Sequence, residues 1–283
     1  MPRPIRVGAV NYLNTKPLIE GLGSFAPHAE LELDLPSRLA DRLASGDLDV
    51  ALIPVIEYFR SGTYSIVPGI SIASRGAVLS VTLFSRVPWP EIRSIALDEG
   101  SRTSAALARI LLEKRYVIQP KLESLPMGVA ADDMHTDAVL LIGDRAMKAC
   151  LPGFAHAFDL GQEWFDWTGL PFVYAVWAVR EGVDLRGVDQ ALRQARDYGL
   201  AKVGPIAQRE SAELGIDAGF CRRYLDNILS FDLGPRELAG LHKFYELAGE
   251  LGLAPEGVDL EFYQQGSQPS AVIGQPTDLS AVG

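Results

Sequence analysis

Positions 100 to 104 read Gly-Ser-Arg-Thr-Ser, a glycine, three hydroxyls and an arginine just ahead of an amphipathic stretch. At the start of a helix such a run can hold a carboxylate. The glycine bares backbone N–H groups, the helix end adds partial positive charge, and Arg102 can donate two parallel hydrogen bonds. Ser101 and Thr103 add hydroxyl donors. A plain helix cap with Arg102 in solvent fits the same spacing. Asn11 to Thr15 is a second polar run, either a turn with a cap or a set of ligand contacts that includes Asn14. Pro36-Ser37 and Gly143-Asp144 mark two further junctions from strand to helix. In open α/β sheets ligands bind beyond the carboxyl ends of strands, where such junctions lie, so Ser37, Gly143 and Asp144 become candidate contacts. Asp144 reads equally well as a cap. Ser80 interrupts the apolar run from Val78 to Leu83, and a serine there either bonds within the core or faces a site.

Other chemistries have no signature. The first strand is followed by no Gly-x-Gly-x-x-Gly, and no Walker-type phosphate loop occurs. His28, His135, His156 and His242 are scattered without metal-ligand spacing, and none pairs in sequence with a serine or cysteine as a nucleophile system would require. No metal and no cofactor is therefore expected. Cys150 and Cys221 read as free thiols. A cofactor-free, non-covalent reaction remains, or simple binding of a small molecule.

Charge narrows the partners. With 26 basic and 36 acidic residues the net charge is −10, so general affinity for nucleic acid or an anionic membrane is not expected. An anion would have to be held locally. The N-terminal residues lack the basic start and long apolar run of a secretory signal, and no stretch approaches a membrane span. A cytoplasmic location is the expectation.

The elements that must position these residues alternate. Strands are expected over Ile5 to Val10, Leu31 to Leu35 and Val50 to Val55. A short helix opens at Asn14-Thr15-Lys16-Pro17, and a longer one follows with Ser37 as its cap. That rhythm argues for a parallel sheet with helices on both faces. Two strands, Ser65 to Ala73 and Ala77 to Ser85, come next with no helix between them. Val87-Pro88-Trp89-Pro90 breaks the pattern, and it then restarts: strands near Ser94, Lys121 and Ala138, helices from Ser101 and Asp144. A long apolar strand from Pro171 to Arg180 returns, with Trp164, Trp167 and Trp177 as packing residues. Helices fill Leu185 to Leu251, and a Gly-, Pro- and Ser-rich tail after Tyr263 is expected to lack structure. The expected fold is α/β and two-lobed, of the type 2 periplasmic-binding-protein kind, with a ligand cleft between lobes. The large lobe would comprise 1–87 and 173–283, and the inserted small lobe 88–172, with hinges near Ser85–Pro90 and Thr168–Phe172.

Several stretches together resemble the chorismate dehydratase family of the futalosine route to menaquinone. They are VGAVNYLNTKPL, DLDVALIPVIEY, SRGAVLSVTLFSRVP, SRTS at a helix start, AVLLIGDRA and DLGQEWFDWTGLPFVYAVWA, in that order between residues 5 and 180. The resemblance implies dehydration of chorismate to 3-[(1-carboxyvinyl)oxy]benzoate without metal or nucleotide. It implies Asn14 and Ser80 at the reaction centre, and Ser101, Arg102 and Thr103 on a substrate carboxylate. Two rival readings stay open. A solute-binding protein for a small carboxylate suits the fold but would require export. The related dihydroxynaphthoate-forming enzyme would place a histidine in the cleft, whereas all four histidines lie outside the matched stretches.

Overall fold

A computed structural model describes residues 2–264, so the tail expected to lack structure lies, from residue 265 on, outside the described residues. The chain opens with β1 (Ile5–Val10), a 3-10 turn at Leu13–Thr15, two short helices, α1 (Lys16–Ile19) and α2 (Leu22–Phe25), and β2 (Ala29–Asp34). Next come α3 (Pro36–Ala44), β3 (Val50–Pro54), α4 (Val55–Ser61) and β4 (Ser65–Ser74). The central part holds β5 (Val81–Ser85), β6 (Ser94–Asp98), α5 (Arg102–Ile110), β7 (Lys121–Leu125), β8 (Ala138–Ile142), α6 (Gly143–Lys148), β9 (His156–Asp159) and α7 (Leu160–Thr168). The chain then returns through β10 (Phe172–Val179) and ends in α8 (Val188–Leu200), α9 (Val203–Leu214), α10 (Ala218–Arg223), β11 (Leu229–Ser230) and α11 (Pro235–Glu250).

These strands form two sheets. One runs β11-β4-β10-β3-β1-β2, the other β7-β6-β8-β5-β9. Both are mixed, which differs from the parallel sheet expected. β1 lies parallel to β2 and β3, but the returning β10 runs antiparallel to β3 and β4 on either side of it. β5 likewise lies antiparallel to β8 and β9. β5 marks the second difference. The expected boundary after residue 87 kept it with the first unit, yet all its pairing is in the second sheet. The chain crosses at Val78–Ser80, ahead of the proline-rich break, because Val81 to Ser85, almost wholly buried, pairs between β8 and β9 inside the second sheet.

Burial follows strand position. All five residues of β3 and all eight of β10 are buried, as continuous apolar strands in the middle of a helix-covered sheet must be. β2 is an edge strand, and Leu31 and Leu33 on it remain exposed. Trp164 and Trp177 are fully buried, and Trp164 donates to the Pro171 carbonyl at 3.2 Å, where the chain re-enters the first sheet. Two helices widen at their ends: α5 runs on into a π turn at Leu111–Arg115, and α10 into another at Tyr224–Ile228.

Candidate active site

The carboxyl ends of β1, β3 and β8 and the crossing at Val78–Ser80 converge on one cavity. It leaves about 520 Å³ unfilled by protein atoms, part of it open to solvent. Asn14, Ser80, Ser101 and Gly143 all line it, along with Tyr12, Tyr174 and Ser104. Four of the eight candidates from sequence therefore meet at one place, although they come from segments up to 129 residues apart in sequence.

Each is positioned by local structure. Ser80 follows Leu79, which sits in the left-handed region at φ 62° although it carries a side chain. That conformation costs roughly 1 kcal/mol or more and needs outside support. Asp159 supplies it, accepting from the Val78 N–H at 3.0 Å and the Leu79 N–H at 2.6 Å. The same carboxylate caps α7 through the N–H groups of Gly161 and Gln162. The crossing is thereby pinned, and Ser80 emerges at the cavity wall only 3% exposed, its hydroxyl accepting from the Tyr224 hydroxyl at 2.7 Å. At the 100–104 junction Ser101 caps α5, accepting from the Ser104 N–H at 3.2 Å, and its hydroxyl meets that of Ser104 at 2.7 Å. Asp98 lies buried beneath, taking the Gly100 N–H at 2.9 Å and Arg145 at 3.1 Å; burial pushes its carboxyl above the usual range.

Gly143 has a positive φ of 56°, and a Cβ there would stand 3.0 Å from the Tyr12 ring. Only glycine lets β8 turn into α6 with that ring lying across it. Burial, then the nearby Asp98 and Asp144, push the Tyr12 hydroxyl well above its ordinary range. Tyr12 is thus a neutral hydrogen-bonding group at neutral pH. Burial does the same for Tyr174, whose hydroxyl sits 3.1 Å from that of Ser74.

The other four candidates stand apart from the cavity wall. Ser37 lies within the first turn of α3, whose cap position is Leu35 with no side-chain bond, so Pro36 and not Ser37 reaches the cavity. Arg102 turns away to Asp41 and Glu57, at 2.9 and 3.2 Å. It ties α5 to helices α3 and α4, which flank the first sheet. Thr103 is buried and its hydroxyl accepts the Ile56 N–H at 3.2 Å. Asp144 accepts the Leu13 N–H at 3.4 Å and joins the second sheet to the turn after β1; burial raises its carboxyl pKa. Sequence reasoning missed the three tyrosines. Tyr12 carries a signal, since it lies between the two asparagines of its motif. Tyr174 sits in an apolar run indistinguishable from core, and Tyr224 in an ordinary stretch of mixed charged and apolar residues. Among the described residues no three His, Cys, Asp or Glu side chains group as a metal site would, and no helix is long and apolar enough to cross a membrane.

Comparison with known proteins fits this geometry. The menaquinone biosynthesis family matches residues 5–250. The chorismate dehydratase of Thermus thermophilus is 34% identical over 274 residues, spanning 89% of this chain and 98% of its own length. Among solved structures, a protein from Archaeoglobus fulgidus superposes with a TM-score of 0.72 at 17% identity, covering 89% of this chain and 98% of that one. The periplasmic aliphatic sulphonate binding protein of Escherichia coli does so with a TM-score of 0.61 at 16% identity, covering 100% and 98%. Likeness at that distance concerns fold alone. With the family matched from residue 5 to residue 250, this chain belongs to the chorismate dehydratase family of menaquinone biosynthesis and carries it on the two-sheet fold of periplasmic binding proteins.

Proposed function

We propose that the chain is a hydro-lyase that converts chorismate to 3-[(1-carboxyvinyl)oxy]benzoate and water, acting in the cytoplasm. The observation that carries this reading is the convergence of Asn14, Ser80 and the Ser101–Ser104 junction on one cavity in a member of this family. The chemistry suits those groups. Chorismate holds a ring carboxylate conjugated to a diene, a carbon bearing both hydrogen and the enolpyruvyl ether, and an adjacent carbon bearing hydroxyl. Removing that hydrogen as a proton gives an anion delocalised towards the ring carboxylate. Departure of hydroxide then leaves an aromatic ring. The protein has mainly to fix geometry and stabilise negative charge.

The ring carboxylate is assigned to the start of α5, where Ser101 and Ser104 line the cavity and the helix end adds partial positive charge. Arg102 and Thr103 support that junction from behind. Asn14 and Ser80 are assigned to the enolpyruvyl side chain or the leaving hydroxyl. Asn and Ser are poor bases, and Tyr12 and Tyr174 hold their protons too firmly to be activated easily. The substrate's own enolpyruvyl carboxylate is therefore proposed to take the proton. A carboxylate side chain beside the reacting hydrogen in a chorismate-bound structure would count against that step. The two sheets are proposed as the cores of two lobes that close on the substrate, with crossings at 78–80 and 169–171 and the Arg102 ion pairs as a latch.

The deciding test mixes purified protein with chorismate in the presence of a metal chelator and reads products by liquid chromatography and mass spectrometry. A product lighter by one water, with benzoate-type absorbance, is expected. Unchanged chorismate with folded protein would overturn the proposal.

A further inference from the structure

Tyr224 belongs to the C-terminal helical region, 144 residues from Ser80, and is fully buried as the first residue of the π turn after α10. Elsewhere in this core a phenylalanine would serve, since a buried phenol must find partners or lose the hydrogen bonds it makes in water. The partner of Tyr224 is Ser80, one of the two residues assigned to the reaction centre. The Tyr224 hydroxyl donates to Ser80 Oγ at 2.7 Å.

A phenol has one proton to give, and the geometry makes Tyr224 the donor of this bond. The phenol thereby commits its single proton to Ser80 Oγ. Ser80 then has its own proton free, and the wall on which it stands faces the cavity.

Resting on the reading that Asn14 and Ser80 act at the reaction centre, we infer that Tyr224 is a positioning residue. It fixes the polarity of the Ser80 hydroxyl so that Ser80 donates a hydrogen bond into the cavity, towards an oxygen that gains negative charge during the elimination. No proton leaves Tyr224 in this scheme. It holds a hydroxyl in one rotational state, so that no reorientation is needed as charge develops.

The test is a double-mutant cycle in kcat and KM on the full chain, using Tyr224→Phe, Ser80→Ala and the pair together, each with a thermal melt. Tyr224→Phe is expected to lower kcat about tenfold, the value of one lost hydrogen bond in a dry site. KM should move less than about twofold and the melting temperature by only a few degrees, because shape and apolar burial are kept. In the Ser80→Ala background the same change should add almost nothing. Wild-type kcat in Tyr224→Phe, with Ser80→Ala impaired, would overturn the inference and leave the reading of the site intact. So would losses that multiply in the double variant. Full activity in Ser80→Ala would remove the reading of the site and the inference together.

Discussion

The six-stranded sheet has polar residues at both ends, and the two ends differ in what those residues have left to bond. At the end where β1 and β3 begin, Asp49 is fully buried yet accepts from Arg3 at 2.8 Å, Arg6 at 3.1 Å and Arg180 at 3.3 Å, and from the Arg6 backbone N–H at 2.9 Å. Its lone pairs are spent. At the end where those strands finish, Asn14 and Ser80 line the cavity, and Ser80 accepts from Tyr224 with its own proton still to place. A saturated polar cluster holds the chain together, whereas one with spare capacity faces a ligand. That contrast separates structural from functional polar groups better than burial does, since Asp49 and Ser80 are both nearly solvent-free.

The largest effect is expected from Asn14→Ala and from Ser80→Ala, each lowering kcat by about 10²-fold or more while the melting temperature stays within a few degrees. A large drop in melting temperature with activity retained would place these residues with Asp49. Asp49→Ala should do the opposite, costing about 2–3 kcal/mol of stability by leaving three guanidinium groups facing an emptied site, with kcat per folded molecule retained. Acid gives the same answer without mutation. Burial works against the Asp49 charge, but hydrogen bonds from Arg3 and Arg6 outweigh it and hold the carboxyl well below its ordinary value of 3.8. A depressed folded-state pKa stabilises above that value and stops stabilising as pH falls through and below it. Chemical denaturation between pH 6 and pH 3 should therefore show a loss in wild type that is smaller in Asp49→Asn. Gly143→Ala combines a forced positive φ with a Cβ pressed on the Tyr12 ring, and should raise KM several-fold and cost about 1 kcal/mol, read by kinetics and thermal melts. The smallest effect is expected for Leu79→Gly. Relief of the left-handed strain offsets the lost half-buried side chain to within about 1 kcal/mol, and kcat should fall only about threefold as Ser80 loosens.

Much of this was legible in the residues. The apolar runs of β1, β3 and β10 marked the strands, and Gly100 to Ser104 and Gly143 announced two of the junctions at the cavity. The periodic pattern cannot say which sheet a strand joins, and the pairing of β5 with β8 and β9 depends on contacts more than 50 residues away. Arg102 looked like the natural anion ligand because its type is right, but Asp41 and Glu57 reach it first, and both come from distant helices. Tyr224 was invisible for the opposite reason. Its environment in sequence is ordinary, and its meaning arises only when a hydroxyl 144 residues earlier is brought to 2.7 Å.

The place of β10 has a consequence for how the molecule assembles. It lies between β3 and β4, so the first sheet stays in two pieces until residues 172–179 have been made and delivered. The second sheet, in contrast, is drawn from the continuous segment 81–159 and can form while the rest is still being synthesised. Pulsed hydrogen exchange during refolding should accordingly protect β6 and β8 before β3. The reaction cavity, which takes walls from both sheets, closes last, so a partly made chain carries a folded half and no site.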